Sequence, residues 1–164
     1  MTIRPATLAD VPAISAIYNH YVLHSTATYQ EDPESVDDRV QWLEAHGPRH
    51  PVLVAAEEEA IVGWASLSPF HSRSAFRFTV EDSVYLRDGW QGRGLGRQLL
   101  EALIPLARKA GHHGIVAAIS GDQEPSLRLH ERCGFVKCGH IPEAGLKFGR
   151  WLDMVYMKLA LSQP

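Results

Sequence analysis

The chain has 164 residues, 45% of them hydrophobic and 21% charged, with a formal net charge of −3. That length fits a single domain spanning residues 1–164 that buries its own core without metal or disulfide. The slight acidity argues against a nucleic-acid partner, which selects for a basic face. No segment approaches the ~20 apolar residues that cross a bilayer.

The opening stretch MTIRPATLAD lacks the apolar core of a signal peptide, so a cytoplasmic protein is expected. TIRPAT reads as a short strand. Asp10 then precedes VPAISAIYNHYV, where Pro12 suits a first helical turn. Val11, Ile14, Ile17, Tyr18, Tyr21 and Val22 recur there at helical spacing. HSTATYQEDPES is polar and turn-rich, hence a loop. Ser35 and Asp38 are spaced to cap a second helix, with Val36, Val40 and Leu43 as its apolar face and Gly47 at its end. Residues 52–56 and 61–67 predict two strands around an acidic turn. FRFTVEDSVYL, residues 76–86, is rich in β-formers and predicts another strand.

Beyond it, Leu95, Leu99, Leu103, Leu106 and Ala110 fall on one helical stripe that stops at Gly111. Pro105 interrupts this stripe and should kink the helix, at a cost of about 3 kcal/mol. GIVAAIS suits a buried central strand. DQEPSLRLHERCGF reads as a short helix with Pro125 in its first turn and Gly134 at its end. FVKCGHI and RWLDMVYMKLAL are two last strands. This mixture predicts an α/β (α+β) domain of three layers, a mixed and mostly antiparallel sheet flanked by helices. Cys133 and Cys138 have neither redox nor zinc spacing, and no histidine stands in a metal-binding motif, so no metal is expected. Cys133 reads instead as a small buried hydrophobe.

The segment QGRGLGR, residues 91–97, joins the 76–86 strand to the long helix. Glycine is entropically costly, so three of them in alternation point to a backbone that must come close to something. A Walker loop would end in Lys-Ser/Thr and a dinucleotide fingerprint would read GxGxxG; neither is present. The remaining pattern, Gln91 to Gly96 as QxxGxG, sits where backbone N–H groups and a helix N-terminus can receive a phosphate. A tight turn that binds nothing would have the same pattern.

Three separated segments narrow this choice. TVEDSVYLRDGWQGRGLG, SLRLHERCGF and GLKFGRWLDMVYMKL, in this order, resemble the GNAT superfamily of N-acetyltransferases, and more narrowly its phosphinothricin and methionine sulfoximine (methionine sulfone) acetyltransferase subfamily. The resemblance spans nearly the whole chain. It implies that Val84, Tyr85 and Leu86 pair through their backbone with the pantetheine arm of acetyl-CoA. It likewise implies that Gly92, Arg93, Gly94, Leu95, Gly96 and Arg97 wrap the pyrophosphate. Gln123 stands where the family has an asparagine on the CoA arm, and Ser126 matches a serine of the following helix. His71, Ser72, Arg73, Glu81, Asp82 and Ser83 fall in the subfamily's substrate segments, and a homodimer is implied as well.

Acetyl transfer to an amine needs a group that takes the amine's proton. Alternation on a strand puts Arg77, Thr79, Glu81, Ser83 and Tyr85 on one face, opposite an apolar row of Val80, Val84 and Leu86 that Asp82 breaks. Glu81 is the expected general base, and the resemblance implies the same role. His130 is the second acid–base candidate, because a histidine titrates near neutrality. No serine, cysteine or lysine stands in a nucleophile arrangement, so direct transfer without an acyl-enzyme is expected. Arg73 and Arg77 suit carboxylate or phosphinate recognition, and Tyr29 and Glu31 are candidate pocket walls. The expected acceptor is a small amino-acid-like molecule. A GNAT enzyme acetylating a protein N-terminus or a polyamine, and a non-catalytic acyl-CoA-binding module, stay open at this point.

Overall fold

A computed structural model describes residues 1–161. The elements in chain order are β1 (Thr2–Pro5), α1 (Val11–His24), α2 (Val36–Ala45), β2 (Val52–Glu57), β3 (Ala60–Pro69), β4 (Thr79–Leu86), α3 (Leu95–Lys109), β5 (Gly114–Ser120), α4 (Glu124–Arg132), β6 (Val136–Lys147) and β7 (Arg150–Ala160). The strands form one seven-stranded sheet in the order β1-β2-β3-β4-β5-β7-β6. Every neighbouring pair is antiparallel except β4 and β5. The expected mixed, mostly antiparallel sheet is what forms.

Helices cover both faces. Leu95, Leu99, Leu100, Leu103 and Ala107 of α3 pack with Leu127 and Leu129 of α4 against Val80, Ile115 and Ala117 of the sheet. Ile14 and Ile17 of α1 and Trp42 of α2 cover Val54 and Trp64 on the opposite face. The leucine stripe of α3 is therefore a core face, and Pro105 sits on its exposed side within a helix that runs through it from Leu95 to Lys109.

Three local expectations need correction. The strand expected over 76–86 begins only at Thr79, because residues 74–76 form a 3-10 turn with Arg77 in helical geometry behind it. The cap of α2 forms as expected: Ser35 Oγ accepts from the Asp38 N–H at 3.0 Å. The expected apolar face of α2 does not form, since Val36 is 46% exposed and the helix buries Arg39 instead. The penultimate strand runs on to Lys147, past an irregularity between Ile141 and Gly145, where Glu143 takes a φ of 47°. Cys133 is half-buried and Cys138 exposed, and both are free.

Candidate active site

The site follows from the one parallel pair. β4 and β5 are in register only from Thr79↔Gly114 to Glu81↔Val116. Beyond Glu81 the two strands part, while β4 stays bonded to β3 through Leu86 and β5 stays bonded to β7 through Ser120. The edge of β4 from Ser83 to Tyr85 therefore faces a gap instead of a neighbouring strand. Unpaired backbone donors and acceptors there must find partners elsewhere, and an extended ligand arm can supply them. The Leu86 carbonyl already accepts from the Tyr21 hydroxyl at 2.7 Å, so it is less available than the resemblance implied.

Three cavities run through this gap. At the mouth a cavity of about 460 Å³ is lined by Gly92, Gly94, Gly96 and Arg97 of the glycine segment, by Val84 and Leu86, and by Gln123, Ser126, Arg128 and Arg132 of α4 and its approach. Gly92 and Gly94 have φ of 75° and 77°, and no atom lies within 4 Å of where a Cβ would stand on either. This is a left-handed backbone that L side chains strain to adopt, bordering open space at the start of α3. The first N–H groups of that helix lack intrahelical partners. Cationic side chains, free amides and a cleared cradle fit a pyrophosphate. Gly96 serves differently: a Cβ there would stand 3.3 Å from Leu129, so the glycine lets α4 close onto α3. Arg93 turns away onto the Trp90 ring, 4.7 Å from its centroid, and the Leu95 side chain enters the core. Neither side chain lines the mouth.

In the middle, a cavity of about 140 Å³ lies between the parted strands, bordered by Glu81, Asp82, Ser83, Ala118, Gln123 and His130. Glu81 and Asp82 point to opposite sides, as alternation requires. Burial, reinforced by the Asp82 charge, raises the Glu81 carboxyl above the usual carboxylate range. The side chain of Asp82 is 1% exposed, and its Oδ2 lies 2.9 Å from His130 Nε2. His130 Nδ1 lies 2.7 Å from the Ser126 carbonyl oxygen. Two acceptors facing two ring nitrogens are both satisfied by the doubly protonated ring. Burial pulls the His130 pKa down, but the ion pair and hydrogen bond to Asp82 and the Ser126 carbonyl raise it on balance. Asp82, expected among the substrate contacts, is thus the buried partner of His130. This accounts for its break in the apolar row.

The third cavity, about 280 Å³, opens on the α1–α2 face and shares Glu81, Ser83, Tyr85 and Ser120 with the middle one. The loop after α1 forms its wall. Tyr29 donates its hydroxyl proton to the Asp153 carbonyl at 2.6 Å, and its oxygen lies 2.8 Å from Ser120 Oγ. Gln123 donates from Nε2 to Thr26 Oγ1 at 2.8 Å, so its side chain secures this loop instead of lying free along the gap. Lys147 ties the same loop from behind, its Nζ donating to the Ser25 and Thr28 carbonyls at 2.7 and 2.8 Å. Ser120 ends β5 in this network.

The arginines expected near Glu81 are elsewhere. Arg77 is not on β4 and cannot share its face; it donates to the Ser74 carbonyl and stacks on Phe78, 4.5 Å from the ring centroid. His71, Ser72 and Arg73 lie exposed on the loop before β4, and the His71 ring packs on Phe76. None of the four lines a cavity beside Glu81, and neither does Glu31. Sequence reasoning missed Arg39, Trp42 and Trp64, which do line the third cavity, and Arg128 and Arg132 at the mouth. Only the two α4 arginines, one turn apart before GF, left a local signal. Among the described residues no cluster of His, Cys, Asp or Glu could hold a metal ion.

Comparison with known proteins agrees with this architecture. Residues 14–135 match the family described as Acetyltransferase (GNAT). The chain is 45% identical over 164 residues to an L-methionine sulfoximine/L-methionine sulfone acetyltransferase of Salmonella typhimurium (strain LT2), covering 99% of this chain and 96% of that one. It is 38% identical over 164 residues to a phosphinothricin N-acetyltransferase of Alcaligenes faecalis, covering 98% of this chain and 83% of that one. A structure of yncA, a putative acetyltransferase from Salmonella typhimurium with its cofactor acetyl-CoA, superposes with a TM-score of 0.97 at 45% identity, covering 100% of this chain and 95% of that one.

Proposed function

Because the chain belongs to the GNAT acetyltransferase family, we propose that it is an acetyl-CoA-dependent N-acetyltransferase for the α-amino group of small amino acids of the methionine sulfone, methionine sulfoximine or phosphinothricin type. The observation that carries this reading is Glu81, placed where the gap between β4 and β5 meets the cavity on the α1–α2 face. A donor entering from the glycine side and an amine entering from the other side meet there.

The residues divide the work. The start of α3 with Gly92, Gly94 and Arg97 binds the pyrophosphate, and the open edge from Ser83 to Tyr85 aligns the pantetheine arm, beside Gln123 and Ser126. When bound, acetyl-CoA supplies the activated acetyl thioester. Glu81 takes a proton from the incoming ammonium at its carboxylate, directly or through water, and its raised pKa suits that task near neutrality. His130, with its two ring nitrogens held by Asp82 and the Ser126 carbonyl, borders the middle cavity, where the charge of the protonated ring can stabilise a departing thiolate. Arg73 and Arg77 act from the rim, by long-range attraction of an anionic acceptor.

We further infer a cytoplasmic homodimer built from one domain. Both cysteines are free, in keeping with a reducing compartment. Ile141, Leu146, Phe148 and Trp151 form an exposed apolar stretch on the β6–β7 hairpin, of the kind a second copy would cover.

The test is release of free thiol from acetyl-CoA across a panel of acceptors. Methionine sulfone or phosphinothricin should be acetylated far faster than lysine, spermidine or a short peptide. A peptide or spermidine as best acceptor would overturn the amino-acid reading and leave the enzyme class standing.

A further inference from the structure

Arg39 is a charged side chain buried inside an aromatic box. It is 3% exposed, and its guanidinium carbon lies 4.5, 4.4 and 5.4 Å from the ring centroids of Tyr18, Trp42 and Trp64. One arm of the guanidinium pairs with Glu34. Its Nε has no hydrogen-bond acceptor among the described residues, and neither does the indole Nε1 of Trp64, a residue 2% exposed. Both residues line the cavity that holds Glu81. Two buried donors without acceptors, on two residues that line one cavity, call for an explanation, because an unsatisfied buried donor costs about 1–3 kcal/mol.

The register decides what could satisfy them. Trp64 pairs with Tyr85, four residues beyond Glu81, or about 13 Å along β4 at ~3.3 Å per residue. The α-carboxylate of an amino acid shares a carbon with the amine that Glu81 serves, so it stays at the Glu81 end. A side-chain head several bonds further out reaches toward Trp64 once the Glu81 side chain has covered part of that distance. Among the described residues lining this cavity, Arg39 is the one cation.

We propose that the Nε–H of Arg39 and the Nε1–H of Trp64 recognise the oxygen-bearing head of the acceptor side chain: sulfone, sulfoximine or phosphinate oxygens that accept both donors. Arg39 and Trp64 are thus the specificity determinants that favour an oxygenated side chain over the bare thioether or hydrocarbon of the same length. Glu34 holds the guanidinium in orientation and leaves Nε free. This assignment rests on the amino-acid reading above and sharpens it.

The experiment compares kcat/KM for methionine sulfone with that for methionine, in the full-length protein. Trp64→Phe removes the N–H and keeps an aromatic ring. It should lower the sulfone-to-methionine ratio by about three- to tenfold, the range for one hydrogen bond to a neutral group. Arg39→Lys, which keeps the charge and loses Nε–H, should lower it by roughly ten- to a hundredfold, as expected for a charged donor. Affinity for acetyl-CoA, measured by calorimetry, should not change in either. A residue that only supports the fold would depress both acceptors alike and leave the ratio intact. An unchanged ratio in Trp64→Phe therefore overturns the proposal, even if Arg39→Lys fails to fold. If the wild-type protein acetylates neither acceptor, the amino-acid reading itself falls.

Discussion

On the cofactor side of β4 the walls are mostly backbone and surface cations. Gly92 and Gly94 clear a cradle at the start of α3, the edge of β4 offers N–H and C=O groups, and Arg97, Arg128 and Arg132 are exposed. On the acceptor side the walls are side chains, drawn from α1, α2, the loop at 26–29 and four strands, and the single cation is buried. Under the proposed function, the contrast follows from what each side has to hold. A pyrophosphate and a pantetheine arm are recognised through dipoles and charge that any backbone can offer, and the glycines only have to stay out of the way. Telling one small amine from another requires side chains at fixed positions in a desolvated pocket.

If the two sides are separable in this way, substitutions should split cleanly between acetyl-CoA affinity and acceptor chemistry. The largest effect falls where the sides meet. Glu81→Gln should cut turnover by roughly 10²–10⁴, the usual contribution of a positioned base, with calorimetric acetyl-CoA affinity intact. The pH profile sharpens this. Glu81 works when deprotonated, and burial raises its pKa, so wild-type kcat/KM should fall with acidification at a pH above the ordinary carboxylate range. That acid limb should disappear in Glu81→Gln. A mutant that kept full turnover and the same limb would move the base elsewhere.

Gly94→Val comes next. Gly94 has a φ of 77° and no atom within 4 Å of its absent Cβ, so the substitution strains the loop and fills the cradle without touching the core. A cost of about 1–2 kcal/mol for the left-handed backbone predicts a roughly five- to thirtyfold loss of acetyl-CoA affinity. The melting temperature should change little. Unchanged affinity would show that the loop does not hold the pyrophosphate. The smallest effect belongs to the rim. Arg73→Ala and Arg77→Ala should raise KM for an anionic acceptor by only a few-fold, and less at high salt, because exposed charges are worth roughly 0–1 kcal/mol. A tenfold or greater rise in KM from either would place that arginine against the bound acceptor and blur the line between buried and surface recognition.

Much of this molecule could be read from the chain. The helix and strand order, the cap at Ser35, the leucine face of α3 and the glycine turn before it all rest on interactions between residues close in sequence, so spacing alone carries them. Strand alternation pointed to Glu81 and near-neutral titration to His130 as acid–base candidates, and the family resemblance agreed on Glu81. Failures came where the partner lay far away. Asp82 looked out of place in an apolar row until α4 brought His130, 48 residues on, to its carboxylate. Nothing local singles out Arg39, because its burial depends on aromatic rings from α1 and β3 closing around it. Arg77 was put on Glu81's face because strand propensity runs through FRFTV, yet a 3-10 turn keeps the first residues off the sheet. The gap itself has no local signature, since it exists only where two parallel strands, separated by a helix, cease to pair after Glu81 and Val116. The sequence by itself determined which segments fold and where glycines leave the start of α3 uncovered. Only tertiary structure decided which side chains meet across that gap, because burial and charge pairing between distant elements are properties of the packed whole.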